Sequence, residues 1–183
     1  MPASVGGRDC MFKRLVSFGA AAIAALTSAC EDGPATIPGG WRSAAVWSTM
    51  VHASAQGPLW LDVHGQPFGG DGDFKDKVAA AMTNQLVGRQ LAFTARRDQA
   101  DKPEFRVVLA FNAPANADPR DLCAGQIATA AQAGDKVTAV AAFCDKSGLL
   151  SSVQGWVAKV EGVDDPRFRR LLGQLTRDLF GSP

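Results

Sequence analysis

Residues 165–181 read DPRFRRLLGQLTRDLFG and predict the clearest element of the chain. Asp165 is a suitable N-cap, and Pro166 suits the first helical position, where the missing backbone N–H costs nothing. Gly181 can end the helix. The large apolar side chains recur at helical spacing and form one face: Phe168, Leu171, Leu172, Leu175 and Leu179. We expect this helix to cover one face of a sheet.

Alternation of apolar and polar residues predicts the strands of that sheet. They are expected within residues 58–68, 91–95, 105–111, 137–144 and 151–160, and a helix over 73–88 follows the first of them. The linker 98–103 is short enough to join the second and third strands as a hairpin, as 145–148 joins the last two. This order predicts an α+β two-layer sandwich: a mostly antiparallel sheet of four to five strands with two helices on one face.

The N-terminal segment has the order of a secretory signal. Lys13 and Arg14 precede an uncharged, mostly apolar run, residues 15–29, which is shorter than the roughly 20 residues of a membrane-spanning helix. Met11 is the better start, since the leader then opens Met-Phe-Lys-Arg. We therefore assign residues 1–30 to a signal peptide.

The end of this leader, Leu26-Thr27-Ser28-Ala29-Cys30, resembles a bacterial lipobox. Ala29 and Ser28 are the small residues that precede the cysteine in such signals, and Thr27 stands where leucine is usual. The resemblance implies that Cys30 receives a diacylglyceryl group, that the chain is cut before it, and that the mature protein is lipid-anchored on the periplasmic side of the cell membrane or the outer membrane. The alternative is an ordinary signal peptide that leaves Cys30 as a free thiol.

Charge bears on the partners of the mature chain. The chain has 19 basic and 18 acidic residues, of which three basic and one acidic lie in residues 1–30, so 16 and 17 remain and the net charge is −1. A general nucleic-acid binder would show a basic surplus, and we expect no nucleic acid among the partners. Residues 31–57 are predicted as a Gly/Pro-rich tether and an irregular or weakly helical segment, and residues 58–183 as the globular domain.

The two late cysteines, Cys123 and Cys144, are expected to form a disulfide. Lipidation of Cys30 and the exclusion of Cys10 leave them as the only thiols in an oxidising compartment. Cys123 lies in a long excursion, residues 113–135, in which residues 122–133 could form a short helix. The alternative is a pair of buried, reduced cysteines.

Asp62 and His64 are weak candidates for metal binding. A strand places both side chains on one face because they are two residues apart, and Asp71 and Asp73 follow nearby. The spaced ligands and terminal Glu of a calcium loop are absent from the sequence, and the simpler interpretation is a solvated strand edge followed by a turn and a helix cap.

Other candidates point more weakly to chemistry. The sequence has no GxSxG elbow, no CxxC pair, no P-loop and no GxGxxG, so no catalytic residue and no cofactor are predicted. Arg167, Arg169 and Arg170 could meet an anionic lipid or lipopolysaccharide, although a solvated helix face is the simpler interpretation. Four tryptophans without a tyrosine are many, and Trp60 could belong to an interaction surface if it faces outward, although core packing is the simpler interpretation.

The predicted element order is similar in outline to small periplasmic lipoproteins of the lipopolysaccharide-assembly type (LptE-like). The resemblance is architectural and implies no transferred activity. We expect a membrane-anchored, non-enzymatic accessory or assembly subunit of the cell envelope that works within an envelope protein complex. The alternatives are a periplasmic small-ligand or metal-binding module and a hydrolase without a visible motif.

Overall fold

The computed structural model describes residues 32–69, 72–130 and 134–182. The predicted signal peptide, residues 1–30, and Cys30 with it lie outside these ranges. Residues from Pro34 onward form one compact unit. Its strands are β1 (Ala35–Pro38), β2 (Leu59–His64), β3 (Phe93–Thr94), β4 (Phe105–Phe111), β5 (Lys136–Asp145) and β6 (Gly148–Ala158). Its α-helices are α1 (Val46–Ala53), α2 (Phe74–Met82), α3 (Pro119–Cys123) and α4 (Pro166–Phe180).

The strands form a single sheet in the order β1-β6-β5-β4-β2-β3. The pairs β1–β6, β6–β5 and β5–β4 are antiparallel, whereas β2 runs parallel to both β4 and β3. The predicted α+β class is confirmed. The finer prediction was wrong, because the sheet has six strands and is mixed rather than mostly antiparallel.

The predicted hairpin between residues 91–95 and 105–111 does not form. Instead, β2 lies between β3 and β4, and Trp60 pairs with Thr94 on one side and with Arg106 on the other. Parallel neighbours require a crossover, and α2 supplies the one between β2 and β3. β4 takes an inner position because its residues from Val107 to Phe111 are buried on both faces of the sheet.

The principal core lies between the sheet and three helices, α1, α2 and α4. Inward side chains alternate along the central strands, for example Val107, Leu109 and Phe111 on β4. This corrects the prediction of two helices on one face. The third is α1, which buries Val46 and Met50 within the segment predicted to be irregular or weakly helical.

The second face of the sheet carries a smaller apolar cluster beneath α3. Its buried members are Val108, Ala110, Leu122, Cys123, Val140, Ala142 and Cys144. The helix begins after Asp118, whose side chain accepts a hydrogen bond from the Arg120 backbone N–H. It thus lies earlier than the helix considered for residues 122–133.

Residues 35–38, predicted to be tether, form the edge strand β1. Its register places Ala35 opposite Trp156 and Ile37 opposite Gln154. The Thr36 hydroxyl donates to the Asp178 carboxylate on α4, which fixes the edge strand to the helix layer. Proline has no backbone N–H to donate, but an edge strand needs no donor on the side that faces solvent. The prolines of this segment therefore did not exclude an edge strand.

The predicted ends of α4 and the predicted start of α2 after Asp73 are confirmed, whereas the predicted end of α2 is wrong. The Asp165 carboxylate accepts a hydrogen bond from the Arg167 backbone N–H at 2.7 Å, and Gly181 follows the helix with a φ of 70°. By contrast, α2 ends at Met82, six residues before Gly88. Its C-cap, Thr83, has extended backbone angles, and Asn84 adopts a left-handed φ of 58°. Asparagine tolerates that region, so it can end a helix where glycine is absent.

Candidate functional site

Asp62 and His64 lie on the second face of the sheet, on β2. Leu59, Leu61 and Val63 point into the principal core, so strand alternation turns these two polar side chains the other way. The His64 Nε2 and Asp62 Oδ1 atoms are 2.8 Å apart. Their alignment does not meet hydrogen-bond geometry, so the contact is a close polar pair rather than a directed bond.

The four candidate metal ligands do not come together. Asp73 lies at the start of α2 and pairs with Lys77 at 3.3 Å, and Asp71 lies outside the described residues. Within the described ranges, no three side chains among His, Cys, Asp and Glu are grouped as a metal site would need. Asp62 and His64 are partly buried side chains that contact each other, and the described residues place neither Asp73 nor a third candidate ligand in that contact.

We expect the double variant Asp62→Ala/His64→Ala to unfold within about 0.5 kcal/mol of the wild type, since half-exposed surface groups contribute little. Thermal unfolding would be followed with and without Zn²⁺ or Ca²⁺. A metal-dependent rise in the Tm of the wild type that disappears in the double variant would contradict the solvated-edge interpretation and restore the metal site.

The Trp60 ring contacts two arginines. The guanidinium carbons of Arg97 and Arg106 are 5.5 and 5.7 Å from its ring centroids. Arg106 also donates hydrogen bonds to the backbone oxygens of Cys123 and Lys146, both at 2.9 Å. This cluster therefore connects β2 and β4 to the α3 segment, a structural role that no sequence motif indicated.

The predicted disulfide between Cys123 and Cys144 is present, with Cα atoms 5.6 Å apart. Both cysteines are buried, at 1% and 0% exposure. The bridge joins α3 to the end of β5, so it holds the excursion against the second face of the sheet.

Three arginines, Arg167, Arg169 and Arg170, lie in the first turns of α4. Arg169 and Arg170 are exposed, and the Arg167 backbone N–H is capped by Asp165. Asp164 approaches Lys77 at 3.8 Å, so an acidic group also lies near this helix end. The arrangement agrees with a solvated helix face.

A cavity of about 370 Å³ opens at the carboxyl ends of β2 and β3, beside the start of α2. Its lining includes Gly65 and Gln66 after β2, Lys75 on α2, and Arg96 after β3. Crevices at the ends of parallel strands commonly bind ligands. The sequence prediction missed this cavity because a hairpin would have placed Arg96 away from Gly65.

Comparison with known proteins identifies no family for this chain. No protein-family model and no curated protein matches it. A solved structure with some similarity is a PelC dodecamer from Paraburkholderia phytofirmans, at 12% identity and a TM-score of 0.42, covering 82% of this chain and 100% of that one. A likeness this distant carries no argument about function. Among the described residues, no helix has the length and apolar character needed to cross a bilayer.

Proposed function

We propose that the protein is a lipid-anchored periplasmic lipoprotein whose domain is a non-enzymatic accessory or assembly subunit of the cell envelope. The observation that carries this proposal is the leader, in which Lys13 and Arg14, an apolar run and Ser28-Ala29 precede Cys30. The Cys123–Cys144 disulfide supports it, because such bonds persist in exported proteins and are rare in the cytosol of most bacteria.

The scaffold role is supported by the packing of the domain. In the described ranges, the sheet and the helices α1, α2 and α4 enclose one large core, and the Cys123–Cys144 bridge joins α3 to the second face of the sheet. A scaffold of this kind suits attachment to an envelope protein complex. Affinity purification from solubilised envelope is expected to yield a stoichiometric partner, and purification of the protein alone would argue against an assembly role.

Lipidation of Cys30 is tested directly by labelled fatty acid. We expect wild type to incorporate the label, and Cys30→Ser to lose it together with maturation or membrane retention. A diacyl anchor should dominate retention, because each buried CH₂ contributes about 0.8 kcal/mol. Cys10→Ser is the matched control and should keep full labelling, since translation from Met11 omits Cys10. Unlabelled wild type that fractionates as a soluble protein would overturn the proposal.

A periplasmic small-ligand module remains the second candidate, favoured by the cavity beside α2. Lys75 and Arg96 line it together with Asp76, which suits a small ligand carrying both charges. A ligand present at 100 times its Kd would stabilise the protein by about 2.7 kcal/mol, so thermal shifts with small zwitterionic amino acids test this candidate. Arg96→Ala should abolish any such shift.

A further inference from the structure

Three large apolar side chains in the described part of the chain are well exposed, and all three surround the end of β1. They are Ile37, Trp41 and Val87, at 55%, 49% and 87% exposure. Ile37 and Trp41 line one depression of about 420 Å³ with Pro38. Pro38 and Val87 line a second, of about 310 Å³, around the same corner. We call Ile37, Pro38, Trp41 and Val87 the edge band.

The edge band is held in place by the sheet. The Gly39 backbone N–H donates to the Ser152 carbonyl, and the Ser43 N–H donates to the Leu150 carbonyl, both at 2.8 Å. The segment that carries Trp41 therefore follows β6 after β1 ends. Because these hydrogen bonds fix the backbone, the exposed side chains of Ile37 and Trp41 keep their positions, and exposed apolar patches of this kind mark interaction surfaces.

The surroundings of the edge band are positively charged. Arg120 lines the depression beside Trp41, with its guanidinium 3.8 Å from the Asp118 carboxylate, and Arg42 and Arg177 line the depression beside Val87. Among the described residues that line the two depressions, the one carboxylate is Asp178, which already accepts a hydrogen bond from Thr36. This local excess contrasts with the near-neutral mature chain, and it complements a surface of anionic phosphate groups.

The chain length brings this edge near the site of lipidation. Four residues, 31–34, separate Cys30 from the start of β1. At no more than about 3.6 Å per residue, Ile37 stays within about 25 Å of the Cys30 Cα atom even when the segment is fully extended. A lipidated chain therefore keeps the edge band within reach of the bilayer that holds the lipid.

We propose that the edge band is a membrane-contact surface that rests on an anionic phospholipid bilayer, with Trp41 and Ile37 at the boundary between head groups and acyl chains. The arginines beside them would meet the phosphates. Indole rings favour this boundary because they are apolar with one polar N–H. The inference rests on the proposed lipidation of Cys30, and it adds a second membrane contact that fixes how the domain faces the bilayer.

The test uses the full-length protein, purified from membranes and reconstituted into vesicles of phosphatidylcholine and phosphatidylglycerol with brominated acyl chains. Bromine quenches only tryptophans that lie at the bilayer. We expect quenching of the wild type, and loss of most of it in Trp41→Phe. Trp60→Phe is the matched control and should keep the wild-type quenching, because Trp60 lies on β2, away from the β1 edge. Ile37→Ser/Val87→Ser should also weaken quenching, with an unchanged Tm because both side chains are exposed.

Mass spectrometry of the N-terminal peptide separates the two proposals. Lipid on Cys30 together with equal quenching in wild type and Trp41→Phe overturns the membrane-contact surface and leaves the lipoprotein proposal intact. Lipid on Cys30, unquenched Trp41 and an altered cross-linking pattern in Ile37→Ser/Val87→Ser would assign the edge band to a protein partner instead, which also overturns it. Absence of lipid overturns the proposed function and removes the premise of this inference.

Discussion

Replacement of Cys123 and Cys144 by alanine is expected to lower the free energy of unfolding by about 3 kcal/mol. The bridged cysteines are 21 residues apart. A cross-link that closes a loop of this length lowers the conformational entropy of the unfolded chain, which stabilises the folded state by roughly this amount. For a domain of this size the change corresponds to a fall in Tm of about 6 to 12 °C. The effect is large because whole domains are stable by only ~5–15 kcal/mol.

Reductant provides the internal control for this prediction. Wild type unfolded in the presence of dithiothreitol should match the Cys123→Ala/Cys144→Ala variant, and reductant should leave the variant unchanged. Limited proteolysis should cut the variant within residues 113–130. Without the bridge, this segment is held to the sheet by the smaller apolar cluster, and it should open more often. Equal stability of the wild type with and without reductant, or two free thiols in protein from the periplasm, would refute the structural role.

Phe168→Ala is expected to destabilise the domain by about 3 to 5 kcal/mol, the range for truncating a fully buried phenylalanine. Phe168 has no exposed surface, and its ring lies 4.9 Å from that of Phe68 and 5.6 Å from that of Phe111. The variant would remove the side chain that joins α4 to β4 and to the loop after β2. Urea unfolding followed by circular dichroism measures the loss as a lower midpoint.

The neighbouring residue supplies the matched control for Phe168. Arg169→Ala changes an exposed side chain on the same turn and should stay within about 0.5 kcal/mol of wild type. Alanine is the best helix former, so helix propensity cannot explain a loss at Phe168. A loss below about 1 kcal/mol at Phe168, or equal losses at both positions, would show that α4 does not pack as described.

The apolar run along β4 shows why the existence of a strand was predictable and its pairing was not. The run from Val107 to Phe111 has the continuous apolar character of a strand buried on both faces, and the structure places it inside the sheet. Which strand pairs with β4 depends on how α2, Leu91 and Phe93 pack into the principal core. No local pattern encodes that choice, and the rule that adjacent strands form hairpins led to the wrong pair.

The candidate sites also include one that the sequence predicts and others that only the tertiary structure reveals. The Cys123–Cys144 pair followed from counting thiols, and its Cα separation of 5.6 Å confirms it. The cavity between Gly65 and Arg96 could not be predicted, because those residues are 31 positions apart and meet only when β3 runs parallel to β2. The edge band was hidden for a related reason, since residues 35–38 have the composition of a tether and become a surface only when β6 pairs with them.

The sequence by itself determined the elements whose signals are local: the caps and apolar face of α4 and the existence of most strands. These depend on interactions within a few residues, such as the Asp165 side chain with the Arg167 N–H. Only the tertiary structure decided the strand order, the parallel pairs, the early end of α2 and the recruitment of β1. These depend on which distant apolar surfaces are buried together, and burial is non-directional, so many partners satisfy the local pattern and only the complete packing selects one.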